Sequence, residues 1–196
     1  RLQRWSFHRA KIRVAANLSY EEAQARIDRG EEDPWLSPLW ACWRALDAAR
    51  KARQPLEIDL PERRVLLDGK GDVTGVSTRE RLDAHKVIEE MMIAANVAAA
   101  KALEEQKAPV MYRCHETPDR EKLSALKEYL ATLGLSFALG QVIAPAIFNR
   151  VLARGKDRPD LTEISEAVLR AQTQAYYTPK NGGHFGLGLS SYAHFT

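Results

Sequence analysis

The strongest constraint on the fold of this chain is one long helix, which its sequence predicts from about Arg81 to Gln106. Alanine, methionine and leucine dominate this stretch, and all three have high helix propensity. Pro109 follows closely and marks the exit from the helix, because proline cannot donate a backbone hydrogen bond. Asn96 interrupts the longest apolar run. No run therefore approaches the roughly 20 apolar residues that a membrane helix needs, and we expect no membrane partner.

Shorter elements are predicted on both sides of the long helix. Ser19-x-x-Glu22 has the pattern of a capping box, Ser37-Pro38 is a good cap and first-turn pair, and Asp119 is a further cap. The predicted fold class is α/β (α+β), rich in helix and with mixed strands. The predicted helices cover residues 20–29, 37–53, 81–106, 119–133, 144–153 and 162–176, and the predicted strands cover a half-buried segment 7–14, a hairpin over 63–77 and a strand over 110–114.

Composition and charge leave the class of function open. The length of 196 residues suits one domain or a large part of one, and 28% charged residues is ordinary for a soluble globular protein. A net charge of +3 permits a polyanionic partner without requiring one. Cys42 and Cys114 lack metal-binding or redox spacing, which favours idle thiols in a reducing cytoplasm. The chain begins at Arg1 and stops at Thr196 after an aromatic-rich segment, so we expect both ends to be cuts within a longer protein.

Four blocks of sequence, in the same order, closely resemble the ribonuclease II/ribonuclease R family. The resemblance spans about residues 5–196, and the Asp-Ala-His-Lys and Tyr-Ala-His-Phe-Thr variants lean toward the ribonuclease R branch. The blocks are Leu18-Ser19-Tyr20-Glu21-Glu22-Ala23, the stretch 78–96 that opens the long helix, Ala108-Pro109-Val110-Met111-Tyr112-Arg113-Cys114-His115, and Gly183-His184-Phe185-Gly186-Leu187-Gly188-Leu189 with Tyr192-Ala193-His194-Phe195-Thr196.

The resemblance implies an RNB-type catalytic domain that hydrolyses RNA, single-stranded or structured, processively from its 3′ end to mononucleotides. In the family, single-stranded RNA threads into a narrow channel where clustered aspartates hold Mg²⁺. Residues 1–196 would be the C-terminal half of that domain, truncated at both ends. Because the family's aspartate cluster lies upstream of the Tyr20 block, we expect no metal ligands in this chain and no activity from it alone. A monomer is the expectation for the full-length enzyme.

Glu89 is the first candidate site residue, and helical geometry separates it from Glu90. At about 100° per residue, His85, Glu89 and Asn96 fall along one line, while Glu90 lies on the far, solvated side. Glu89 is thus predicted to be the partly buried carboxylate that needs a partner. The family glutamate in this block bonds a ribose hydroxyl near the cut, and the resemblance carries that role to Glu89; a structural hydrogen bond to His85 or to backbone is the alternative. The line borders a predicted apolar stripe of Ile88, Met91, Met92, Ala95 and Ala99.

Tyr20 and His194 complete the candidate site. Spacing alone would make Tyr20, in the first turn of its helix, a packing residue. The family places an active-site tyrosine in the matching block, where a phenol could donate to a phosphate oxygen as charge develops. By the same resemblance His194 is a candidate RNA contact that lines the path. A metal role for His184 or His194 lacks further ligands at useful spacing.

Other features leave alternatives open. The basic side chains Arg4, Arg9, Lys11 and Arg13 either touch an RNA backbone or, as we favour, form a solvated strand face. Trp40 and Trp43 are predicted to be core, and the closing glycines to form a close-packed strand in place of a phosphate loop. The main alternative function is a non-catalytic RNA-binding or scaffold module that keeps the RNB-like fold.

Overall fold

Six α-helices and four short strands form in the part of the chain that this computed structural model describes, residues 4–60, 62–140 and 142–196. The predicted α/β (α+β) class, rich in helix, is confirmed. The helices are α1 (Tyr20–Asp28), α2 (Leu36–Arg53), α3 (Asp83–Glu105), α4 (Arg120–Thr132), α5 (Pro145–Gly155) and α6 (Leu161–Ala171), and the strands are β1 (Glu62–Leu67), β2 (Val73–Arg79), β3 (Tyr112–Cys114) and β4 (Tyr176–Thr178). None of the described helices is both long and apolar enough to cross a membrane.

The contacts within the chain divide it into two compact units. Unit 1 consists of Arg1–Ala49 and Pro61–Ala95, and unit 2 consists of Arg50–Leu60 and Asn96–Thr196. Helices α2 and α3 therefore each contribute residues to both units.

In unit 1, α1 begins at the predicted capping box. The Ser19 hydroxyl accepts from the Glu22 amide at 3.1 Å, and the Glu22 carboxylate accepts from the Ser19 amide at 2.9 Å. These bonds satisfy backbone donors that have no partner within the first turn of a helix. The same hydrogen bonds hold the pKa of Glu22 below its usual range. Gly30, just past the helix end, takes a left-handed φ of 69°, which glycine adopts without strain.

The cap of α2 differs from the prediction. We expected Ser37-Pro38 to open this helix, but it begins at Leu36. Asp33 accepts hydrogen bonds from the amides of Trp35 and Leu36, both at 2.8 Å, and these bonds are the main cause of its lowered pKa. A carboxylate at a helix N-terminus is stabilised by the helix macrodipole as well as by the hydrogen bonds. Asp33 is therefore a stronger cap for α2 than the Ser37 hydroxyl.

Strands β1 and β2 form the predicted antiparallel hairpin. Val65 pairs with Val76, and the register shifts by a bulge near the turn. Asp68 accepts from the amides of Lys70 and Asp72 at 2.8 and 2.9 Å, which closes the turn and lowers the pKa of Asp68.

The half-buried strand predicted over residues 7–14 is wrong. Residues 4–19 form no helix or strand, and Phe7, Ile12 and Val14 are exposed. Alternation produces a strand only where a second strand pairs with it, and no strand among the described residues does so. The basic side chains of this segment are exposed, but not on a strand face.

Tryptophan and small residues build the core of unit 1. Trp40 is buried and Trp43 partly buried, their rings meeting edge to face at 6.5 Å, so the core placement predicted for both is confirmed. Ala84 and Val87, near the start of α3, pack into this core. The first two turns of α3 are therefore held by apolar burial.

The apolar stripe predicted on α3 is not the buried side. Ile88 and Met92 are 38% and 39% exposed. The helix is apolar around most of its circumference, so periodicity could not select the face that packs. Its two halves also serve different cores, through Val87 in unit 1 and Ala100 in unit 2. The buried positions are Ala84, Val87, Glu90, Ile93, Asn96, Ala98 and Ala100.

Helices α4, α5 and α6 surround the largest core, which lies in unit 2. Phe148 is fully buried there, and each such side chain contributes about 1.5–3 kcal/mol by leaving water. The predicted caps of α4 are present: Asp119 accepts from the Lys122 amide at 2.8 Å, and Gly134 is left-handed.

The helix predicted over residues 162–176 is too long at its C-terminal end. α6 stops at Ala171, and Tyr176–Thr178 pairs antiparallel with Tyr112–Cys114 as β4. Tyrosine and threonine favour strands, and an available partner strand overrides the weak helical pattern of these residues.

Candidate functional site

Tyr20 and the start of α3 meet on one surface of unit 1. The Tyr20 ring stacks on His85 with ring centroids 4.1 Å apart and planes 25° from parallel. Gln24, one turn further along α1, accepts a hydrogen bond from the Ala84 amide at 2.9 Å. The capping box fixes where α1 begins, and this bond fixes where α3 begins against it. Tyr20 nevertheless remains 37% exposed, so part of this residue is accessible to a ligand.

Glu89 lies on α3 one turn after His85. Its carboxylate forms an ion pair with Arg81, and its side chain is 39% exposed. Because residues i and i+4 lie on the same helix face, the Tyr20–His85 stack and the Glu89 carboxylate belong to one neighbourhood. The structure thus places the Tyr20 ring against His85, one helical turn before Glu89.

The burial predicted for Glu89 is confirmed, and the burial predicted for Glu90 is wrong. Glu89 is half-buried with an ion-pair partner, whereas Glu90, predicted on the solvated side, is only 4% exposed. The cause is the same as for the apolar stripe, since the packed face of α3 is not the one that periodicity indicated. The correction makes Glu89 the carboxylate that a ligand can reach, and Glu90 a buried structural group.

Arg81 is a member of this surface that sequence reasoning missed. The spacing Arg81, His85, Glu89 places three polar side chains at successive i+4 positions, and that spacing was the available signal. Together with Tyr20 they offer a phenol, an imidazole, a guanidinium and a carboxylate. These groups suit hydrogen bonds to sugar hydroxyls and phosphate oxygens.

His194 lies in unit 2, where it forms part of a group of stacked rings. Its Nδ1 lies 2.7 Å from the Tyr177 hydroxyl, and the two rings are 13° from parallel with centroids 6.2 Å apart. The Tyr192 ring also stacks on the His194 ring, with centroids 6.3 Å apart and planes 25° from parallel. Because Tyr20 and Glu89 belong to unit 1, the predicted site residues are divided between the two units.

Asn96 holds the segment that carries His194. This buried amide accepts from the Phe195 backbone N–H at 2.7 Å and donates to the Thr196 hydroxyl at 2.7 Å. Asn96 was predicted on the same helix face as His85 and Glu89, but its side chain bonds to Phe195 and Thr196. A buried amide with partners on both its oxygen and its nitrogen fixes the backbone around it.

The closing glycine-rich block forms a 3₁₀ turn in place of the predicted strand. Phe185–Leu187 is the turn, and Gly188 follows in the left-handed region at a φ of 62°. The predicted close packing is present, because a Cβ on Gly186 would lie 2.8 Å from the His115 ring.

Two histidines hold this turn in their neutral forms. His115 Nδ1 accepts from the Gly186 amide at 2.9 Å while its Nε2 donates to the Thr173 carbonyl, and His184 Nδ1 accepts from the Leu187 amide at 3.2 Å. Burial, with the nearby His115, lowers the pKa of His184 to about 4. Burial also lowers the pKa of His115. Both imidazoles therefore act as structural acceptors.

The described acidic residues of unit 1 do not form a metal centre. Asp33 caps α2, Glu31 pairs with Arg29 at 2.6 Å, and Asp28 accepts from Gln24 at 2.9 Å. Among residues 4–60, 62–140 and 142–196, no three His, Cys, Asp or Glu side chains are grouped so as to hold a metal ion. The described residues thus do not fit the Mg²⁺ site that the family resemblance implies.

Known proteins share both the sequence and the fold of this chain. Ribonuclease R from Escherichia coli (strain K12) is 34% identical over 205 aligned residues, which cover all of this chain and 25% of the relative. The structure of Mycoplasma genitalium RNase R in complex with ribose methylated single-stranded RNA matches with a TM-score of 0.82 at 22% identity, covering 90% of this chain and 29% of that one. Yeast Ssd1, described as a pseudonuclease, matches with a TM-score of 0.63 at 19% identity, covering 91% of this chain and 23% of that one.

The extent of these matches decides what they show. This chain spans about a quarter of the length of the curated relative from E. coli. The model of the family described as RNB domain matches residues 1–196. Because that match extends over the whole chain, the chain belongs to the RNB domain family.

Proposed function

We propose that the full-length protein containing this chain is a hydrolytic exoribonuclease that uses Mg²⁺ to degrade RNA processively from its 3′ end to mononucleotides. In this proposal residues 1–196 are the C-terminal half of its catalytic domain and supply one wall of the RNA path. The observation that carries it is the stack of Tyr20 on His85, one helical turn before Glu89. The ribonuclease R relatives and the RNA complex of the M. genitalium enzyme support the same class of substrate.

The chemistry of this surface assigns a role to each group. The Tyr20 hydroxyl donates to a phosphate oxygen next to the cut, where negative charge develops during hydrolysis. The Glu89 carboxylate accepts from a ribose hydroxyl, which only RNA offers. Arg81 holds that carboxylate in place through its ion pair. His194 is the third predicted RNA contact, in unit 2.

The metal must be held by residues outside the described part of this chain, which offers no suitable group of ligands. We therefore expect the isolated 196-residue chain to release no mononucleotides, whereas the full-length protein should.

A cleavage assay tests the proposed function. The full-length protein is incubated with Mg²⁺ and a single-stranded RNA labelled at its 5′ end, and the shortening of the label is followed with time. We expect stepwise shortening from the 3′ end with release of mononucleotides, abolished by EDTA. Cuts within the RNA, or activity that survives EDTA, would contradict the proposal.

The alternative is a non-catalytic RNA-binding or scaffold module. It is favoured by one observation, that the same fold occurs in yeast Ssd1, described as a pseudonuclease. RNA binding by the full-length protein without any shortening of the RNA would establish this alternative. Shortening that depends on Mg²⁺ would remove it.

A further inference from the structure

A ladder of side chains in unit 2 is not used by the site on α1 and α3. Its members are Arg113 on β3, Tyr177 on β4 and His194 near the end of the chain. The Arg113 guanidinium lies over the Tyr177 ring, 4.5 Å from its centroid, and the Tyr177 hydroxyl lies 2.7 Å from His194 Nδ1. Tyr177 is 51% exposed and His194 is exposed, so the ladder faces solvent.

The Arg113 guanidinium is held by its contact with the Tyr177 ring, and this contact does not use its N–H donors. Its backbone amide bonds to the Tyr192 carbonyl at 2.9 Å, but its guanidinium has no hydrogen-bond or ion-pair partner within the described ranges. The side chain is half-buried, so it has lost part of its hydration without gaining an acceptor. An arginine stacked on an aromatic ring with free N–H groups is preorganised for a planar or tetrahedral oxyanion.

His194 adds a second donor of fixed direction. With Nδ1 facing the Tyr177 hydroxyl, only Nε2 is left to meet a ligand. An acceptor outside the protein selects the form in which Nε2 carries hydrogen and the Tyr177 hydroxyl donates to Nδ1. Arg113 also lowers the pKa of half-buried His184, after burial and His115, so its charge acts on the region of the closing turn.

We propose that Arg113, Tyr177 and His194 form a second RNA-binding site, which takes an internucleotide phosphate through the Arg113 guanidinium and His194 Nε2. Tyr177 is the positioning residue: its ring supports the guanidinium and its hydroxyl orients the imidazole. Tyr177 and Phe195, which are 51% and 60% exposed, also suit a single strand, whose bases stack on aromatic side chains. This inference rests on the proposed function, since it assumes that RNA is the ligand.

The test measures RNA binding by the full-length protein in EDTA, so that affinity is read without cleavage. A fluorescently labelled single-stranded RNA is titrated at several salt concentrations. Arg113→Gln and His194→Ala should each weaken binding about 10-fold, the size expected for a hydrogen bond to a charged group. Arg113→Gln should also reduce the slope of log affinity against log salt by about 0.7, the value of one phosphate contact on a single strand.

A matched pair of tyrosine variants separates positioning from general surface effects. Tyr177→Phe keeps the ring under Arg113 but removes the bond to His194, so it should weaken binding about 3-fold or more without changing the salt slope. Tyr176→Phe removes a neighbouring hydroxyl that bonds Glu116 and lies outside the ladder, so its affinity should equal that of the wild type.

The outcomes distinguish this inference from the proposed function. Wild-type affinity and salt slope in Arg113→Gln and His194→Ala, with RNA still degraded, would overturn the second site alone. Failure of the wild-type protein to bind or shorten RNA would overturn both. Thermal unfolding is measured for each variant, and weaker binding at an unchanged unfolding temperature by either Arg113→Gln or His194→Ala keeps the test valid.

Discussion

The Tyr20 side chain has two kinds of group, an aromatic ring that packs and a hydroxyl that can donate a hydrogen bond. The ring is held by the stack on His85, at 4.1 Å, and the residue is still 37% exposed. The sequence placed Tyr20 in the first turn of α1 and made packing its default role. The family resemblance supplied the second role, and the structure is compatible with both because they use different atoms.

Tyr20→Phe in the full-length protein should therefore lower single-turnover cleavage about 10-fold or more while leaving RNA affinity and thermal stability unchanged, since a hydrogen bond to a charged oxygen contributes about 1.5–3 kcal/mol. The phenylalanine ring keeps the stack on His85, so this substitution should leave folding unchanged. Cleavage at the wild-type rate would return Tyr20 to a packing role.

At the scale of elements, the sequence predicted well where local chemistry decides. The capping box of α1, the Asp119 cap of α4 and the turn at Asp68 all depend on residues within a few positions of one another. Predictions failed where a distant partner decides. Residues 7–14 alternate without a pairing strand, and residues 176–178 leave their predicted helix because β3 is available to them.

The face of α3 that packs against the core also could not be predicted from the sequence. Alanine is small and apolar wherever it lies on a helix, so an alanine-rich helix carries little information about its buried side. That is why Glu90 was predicted on the solvated side although it is buried, while the partly buried position predicted for Glu89 is correct. The Arg113–Tyr177–His194 ladder joins three distant positions and left no local signal.

The closing turn makes a prediction about one glycine. Gly186→Ala should destabilise the protein by roughly 1–3 kcal/mol, because the added Cβ would lie 2.8 Å from the His115 ring, which is itself fixed by two hydrogen bonds. Gly75→Ala in β2 is the matched control, since its Cβ meets nothing within 4 Å. Urea unfolding of both variants measures the difference, and equal midpoints would contradict the account of the turn.

The same turn should make stability depend on pH. The pKa of His184 is lowered from 6.5 to about 4, mainly by burial, so below pH 6.5 the unfolded chain binds a proton that the folded chain does not. The free energy of unfolding should therefore fall as the pH is lowered from about 6.5 to about 4. His115, whose pKa is also lowered, acts in the same direction.

His184→Asn provides the control for this dependence. Asparagine keeps an acceptor near the position of Nδ1 for the Leu187 amide but does not titrate. The variant should lose less stability between about pH 7 and pH 5 than the wild type, as measured by urea unfolding at each pH. Parallel losses in the two proteins would show that His184 does not carry the effect.

At the scale of the whole molecule, the proposed function and the second-site inference place one RNA-binding surface in each unit. Unit 1 presents Tyr20, Arg81 and Glu89, and unit 2 presents the ladder of Arg113, Tyr177 and His194. The first surface is assigned to the chemistry near the cut and the second to holding the strand. Changes in unit 1 should therefore act on the rate of cleavage, and changes in the ladder on affinity.

The most direct test of the central claim compares Glu89→Gln with Glu90→Gln in the full-length protein, measuring single-turnover RNA cleavage and thermal unfolding for both. Glu89 is accessible and Glu90 is 4% exposed. Glu89→Gln should slow cleavage about 10-fold or more at unchanged thermal stability, since it weakens a charged hydrogen bond to the ribose. Glu90→Gln should act mainly by lowering the unfolding temperature. Normal cleavage by Glu89→Gln, together with lost cleavage by a stably folded Glu90→Gln, would contradict the account.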